Sequence, residues 1–164
     1  MCLTNAKKVR RRGQEPITAY KIIGIRKYKD GRKEELFSPY THFKWVRGQV
    51  IPAIGHIKLK DLIFHREIHE GAFHAFKNLD DAAWDLASIG NTPYLYFEAP
   101  EVKSTRYVIA EVEIPQDSRV YVGKYDAYSF SDPVDCYAST KMKLGKIIME
   151  RKDAVDMFLK KKQH

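Results

Sequence analysis

The chemistry-bearing residues of this chain concentrate in "HREIHEGAFHAF", residues 65–76, which places three histidines and two glutamates within ten positions. His65 and His69 are four apart, so a helix would put both on one face. Glu67, however, does not directly follow the first histidine as a zinc-protease helix requires. If the segment is extended, His65, Glu67 and His69 line one strand face, and two histidines with a carboxylate form a ligand set for iron or zinc. Spacing supplies no further ligand, and histidines on a polar strand face need no metal, so no cofactor is expected.

His74 is a different case, because it lies inside an apolar stretch between Phe73 and Phe76, just ahead of a helix start. A buried imidazole must find a hydrogen-bond partner, and a helix N-terminus nearby favours an anion such as a phosphate. Glu111 and Glu113, in "EVE", share one strand face, where paired carboxylates can supply a general base. If the protein is an enzyme, His74, Glu111 and Glu113 are its catalytic candidates. A solvated strand face explains the two glutamates equally well.

Two stretches dense in Tyr, Ser and Asp, 37–45 and 125–139, suit stacking of a base and hydrogen bonding to a sugar. Tyr40 and Tyr125 are the ring candidates there, with Lys44, Arg47 and Lys124 available for phosphates.

Elements must position these groups. "ITAYKIIGIRKY", residues 17–28, is β-branched and aromatic, and Asp30-Gly31 suits a turn into "EELFSPY", which Pro39 stops. Gly48 and Pro52 suggest a bend or short strand, and 57–70 fits helix or strand. After Gly71, Ala72, His74 and Phe76 alternate with Phe73 and Ala75. Asn78 is placed to cap a helix that begins with Asp80 and Asp81 and buries Leu79, Ala82, Ala83 and Leu86 before Gly90. "TPYLYF" and "TRYVIAEVEIP" read as strands, the latter with Val108, Ala110, Val112 and Ile114 on its core face. "SRVYVG" and "KMKLGKIIME" are further strands, residues 124–140 read as a loop, and from Asp153 a capped amphipathic helix turns Val155, Phe158 and Leu159 inward.

The sum is an α+β fold: one compact domain, residues 16–164, with a mixed or mainly antiparallel sheet of about six to seven short strands and two to three helices, preceded by a basic arm at 1–15. At 164 residues and 44% apolar composition, one core is expected. No Walker or Rossmann glycine loop is present.

No apolar run approaches the roughly 20 residues that cross a bilayer, and two cysteines cannot build a disulfide framework, so a reduced cytoplasmic setting with no membrane partner is expected. The net charge of +8 lies largely at the ends. Lys7, Lys8, Arg10, Arg11 and Arg12 would draw nucleic acid by counterion release, or serve only as solvated tails.

"MCLTNAKKV", "ITAYKII", "LFSPY" with "FKWVRG", "GAFHAF" and "CYASTKMKL" together resemble a family of small uncharacterised proteins from gut Bacteroidales and their phages. That resemblance implies a bacterial or infected-cell cytoplasm. A weaker likeness is to ADP-ribosyltransferase-like domains, in which Tyr20, Lys21, His74, Glu111 and Glu113 would occupy the site. The first strand lacks the Arg or His that such domains use to grip a dinucleotide, and no Ser-Thr-Ser motif follows. The expected function is therefore a non-enzymatic binding module for a phosphate-bearing nucleotide or a host protein. The alternatives are a transferase-like or nucleotide-processing enzyme and a nucleic-acid-associated basic protein. Ligand contacts are expected from Tyr20, Lys21, Tyr40, Lys44, Arg47, His74, Lys124 and Tyr125.

Overall fold

A computed structural model describes residues 3–9, 15–39, 43–53, 72–89, 100–125 and 132–161. Its ten strands join one sheet: β1 (Leu3–Val9), β2 (Ile17–Tyr28), β3 (Glu35–Phe37), β4 (Lys44–Trp45), β5 (Val50–Pro52), β6 (Phe73–Phe76), β7 (Val102–Ile114), β8 (Val120–Tyr125), β9 (Val134–Ser139) and β10 (Lys141–Glu150). The main path runs β1-β8-β9-β6-β2-β7-β10-β5, and β3 leaves it by pairing with β2 and then β4. Among the described residues every strand pair is antiparallel, and a parallel bridge joins Arg47 to Leu144. Two helices, α1 (Leu79–Ser88) and α2 (Arg151–Lys161), complete the described elements.

The expected α+β balance of six or seven strands is therefore corrected to a mostly antiparallel sheet protein carrying two helices. The undercount has a physical source. β1 is a basic stretch expected as an arm, yet it pairs with β8 and buries Leu3. β9 lies within the stretch expected to be loop, because sheet partners on both sides outweigh its polar composition.

β2 and β7 form the longest ladder, from Ile17↔Ile114 to Tyr28↔Val102. On one face of this sheet, Ala19, Ile23 and Ile25 pack with Val108, Ala110, Val112, Trp45 and Phe73. On the other, Ile22, Ile109, Phe76 and Tyr121 meet Ala82, Ala83 and Leu86 of α1 and Ala154 of α2. The alternation expected for residues 72–76 and 108–114 is the one observed.

The helix details differ in part. Asn78 occupies the N-cap of α1 in an extended conformation, but its side chain donates to the Asp81 carboxylate at 3.1 Å rather than capping backbone. α2 begins at Arg151, and its inward stripe is Ala154, Met157 and Phe158, which leaves Leu159 57% exposed. Trp84 of α1 meets Phe158 edge-on at 4.7 Å, tying the two helices together.

Gly24 has a packing reason. A Cβ there would lie 2.2 Å from the ring of Phe37, its cross-strand partner, so the ring can cover β2 only over a bare backbone. Gly24→Ala is expected to destabilise the fold by about 2 kcal/mol through overpacking, read from urea denaturation. Adding Phe37→Leu should recover part of that loss; strict additivity of the two changes would refute the contact as its cause.

Candidate functional site

β2 faces β7 along its whole length, but its other edge serves two strands in turn. Tyr20 pairs with Phe76 of β6, and Gly24, Ile25 and Arg26 pair with β3. Between those contacts, over Lys21 to Ile23, β6 and β3 diverge and the sheet forks.

Lys21 sits at this fork. Strand alternation puts it on the face of Ala19 and Ile23, where its Nζ donates a 2.7 Å hydrogen bond to the backbone oxygen of His74 and lies 5.7 Å from the centre of the Trp45 ring. Trp45, Phe43 and Phe73 form a cluster with ring centres 4.8 to 5.1 Å apart. The indole is oriented by its Nε1–H, which donates to the Ser38 hydroxyl at 2.8 Å. Among the described residues, no carboxylate lies within ion-pairing reach of the Lys21 ammonium. Burial accordingly lowers its pKa from the ordinary 10.5 to about 8, with Cys136 acting in the opposite direction.

His74 is brought to the same place, but by its backbone. Its side chain points to the opposite, helix-bearing face, where it is only 8% exposed. Tyr20 lies on that face too and packs into the core there. Tyr125 is buried against Phe76 with ring centres 5.8 Å apart, so it is a core residue rather than an exposed stacking platform.

Two of the remaining expected cations, Lys44 and Lys124, are engaged by acids. Lys44 pairs with Glu35 at 2.5 Å, and Arg26 reaches the same carboxylate at 3.2 Å. Burial pushes Glu35 up, yet these hydrogen bonds more than offset it and hold its carboxyl below the usual range. Lys124 binds Asp135 at 2.8 Å, which lowers the Asp135 pKa with a smaller contribution from Lys77. Arg47 is exposed, and its backbone bridges to Leu144.

The paired-carboxylate expectation is not met. Glu113 faces Lys143 at 3.7 Å and Glu111 faces Lys146 at 3.9 Å, so each sits in an ion pair with β10. From the register, with about 4.8 Å between strands and about 3.4 Å per residue, Glu113 is roughly 16 Å from His74 and Glu111 roughly 12 Å. Neither glutamate can share a proton with that imidazole directly. Tyr40, Arg10, Arg11, Arg12 and the metal candidates His65, Glu67 and His69 lie outside the described residues. Among the described residues, no group of three or more potential metal ligands occurs. Nor is any helix among them long and apolar enough to cross a membrane.

Phe43, Trp45 and Ser38 were not among the expected site residues. One signal did point here: Lys21 interrupts the apolar alternation Ala19, Ile23, Ile25, and a lysine on a core-facing position needs an explanation. Comparison with protein-family models, curated proteins and solved structures found no match.

The site has a signed pH signature. Below about pH 8 Lys21 is charged in both folded and unfolded chains, and the folded state bears the desolvation cost. Between about 8 and 10.5 the unfolded chain holds the extra proton, so this residue makes stability rise with pH. Cys136 acts oppositely: burial, then the charges of Asp81 and Asp85, push its thiol up from the ordinary 9.0, so stability falls above that pH. Lys21→Met is expected to raise stability at pH 7, by up to about 3 kcal/mol less about 1 kcal/mol for the lost hydrogen bond. It should also abolish the rise between pH 8 and 9, measured by urea unfolding in a Cys136→Ala background. An unchanged pH profile in the variant would mean that the ammonium is not desolvated.

Proposed function

We propose that this chain is a binding module that receives a phosphate-bearing ligand of nucleotide type at the fork of its sheet. One observation carries the reading: a desolvated ammonium, Lys21, with a carbonyl and an indole beside it but no carboxylate within reach among the described residues. A ligand oxyanion there would offset a cost that the folded chain otherwise bears, and charge-assisted hydrogen bonds of this kind are the strong ones. The partly buried Phe43 offers an aromatic surface at the same point. The transferase-like alternative is weaker, because its proposed acid, Glu113, is ion-paired and far from His74.

A thermal-shift panel of mononucleotides, dinucleotides and inorganic phosphate should yield a ligand that raises Tm by mass action in the wild type and not in Lys21→Met. The bound anion favours the ammonium, whereas the free protein loses that proton near pH 8. Affinity should therefore weaken above pH 8, approaching tenfold per unit, until the pKa of the complex is reached. No response in the panel, or an equal response in the variant, would refute the reading.

A second surface supports the nucleic-acid alternative. Lys7 and Lys8 are exposed on β1, at one end of the strand path, and have no carboxylate partner among the described residues. Arg119 lies one residue beyond the last registered pair of this ladder, Val9 with Val120. Duplex binding measured by fluorescence anisotropy should weaken steeply with salt, and Lys7→Gln with Lys8→Gln should reduce the logarithmic salt slope by about two. Removing the N-terminal stretch is a poor test, because Leu3 belongs to the core. A salt-independent affinity would exclude this mode.

A further inference from the structure

Among the described residues, most lysines with a close side-chain contact face a carboxylate: Lys27 faces Glu34, Lys44 faces Glu35, Lys124 faces Asp135 and Lys143 faces Glu113. Lys21 is the exception with a consequence for reactivity. Among the described residues, its hydrogen-bond acceptor is the His74 carbonyl, the Trp45 ring lies 5.7 Å from its nitrogen, Cys136 is near enough to act on its charge, and the side chain is partly exposed.

A carbonyl acceptor takes one N–H and leaves a neutral amine's lone pair unused. A carboxylate, by contrast, would hold all three protons in place. The Trp45 ring, itself held by Ser38, disfavours water around the nitrogen. These are the surroundings that turn a lysine into a nucleophile.

We propose that Lys21 is a reactive amine that captures small aldehydes reversibly at the sheet fork. Nζ adds to the aldehyde carbon to form a C–N bond and a carbinolamine. The carbonyl oxygen then leaves as water together with two protons, both originally on the amine nitrogen, giving a neutral imine, and hydrolysis reverses the sequence. No oxidant or reductant is consumed. The lowered pKa supports this chemistry: at pH 7 about a tenth of Lys21 is neutral, against about one part in three thousand for an ordinary lysine. The inference shares the fork with the nucleotide reading and needs no anion there.

The test uses the full chain with acetaldehyde at pH 7. Sodium cyanoborohydride reduces the imine irreversibly, and peptide mass mapping follows each lysine over time. Lys21 is expected to be alkylated at least about tenfold faster than Lys44 or Lys124, with a rate that rises with pH to a plateau above about 8. Labelling no faster than at those exposed lysines, or fast only after urea unfolding, overturns the proposal. Trapping at Lys21 without a thermal response to nucleotides supports the amine and removes the anion reading. A nucleotide response without preferential trapping removes the amine alone.

Discussion

The β2–β7 ladder is the constraint on which the rest of the molecule depends. Twelve registered pairs, from Ile17↔Ile114 to Tyr28↔Val102, occupy one entire edge of β2. A strand so long has more free edge on its other side than the four residues of β6 can cover, and β3 takes the remainder. The two neighbours approach from separate parts of the chain, so the sheet opens between them. Lys21 spans that opening by offering a side-chain donor to a β6 carbonyl, and Phe43, Trp45 and Phe73 fill the adjoining space with ring surface.

The ion pairs explain why the fork stands apart chemically. Glu111 and Glu113 face lysines of β10, Glu35 holds Lys44 and Arg26, and Asp135 holds Lys124. These pairs are partly exposed, so each contributes little stability but fixes where its charges point. Acids so engaged cannot also serve as general bases for His74 at the separations the register imposes. Lys21 belongs to none of these pairs; burial opposes its charge, and among the described residues no carboxylate holds it.

Much of the local structure was legible. Gly31, with φ of 75°, sits in the turn anticipated from Asp-Gly, and the strand containing His74 feeds a helix that buries Ala82, Ala83 and Leu86 as their spacing required. The strand count was not legible, because β1, β4 and β9 are polar or very short and become strands only when paired. Of the candidate site, Lys21 and His74 do meet, but through a backbone oxygen, which no side-chain pattern announces. Tyr125 was misassigned to a binding surface since an aromatic residue in a Tyr-rich stretch looks the same whether its ring stacks on a ligand or on Phe76.

From the order of residues alone came the alternation that sorts β6 and β7 into two faces, the stripe of α1, and the basic excess toward the ends. Periodicity is a local property, and each residue carries its own share of it. The fork, the ion-pair assignments and the isolation of Lys21 were decided by tertiary pairing, because they depend on which distant strand lies beside β2 and on how much water is left around one nitrogen. Register between segments some 50 residues apart, as for Lys21 and His74, is a property of the assembled sheet.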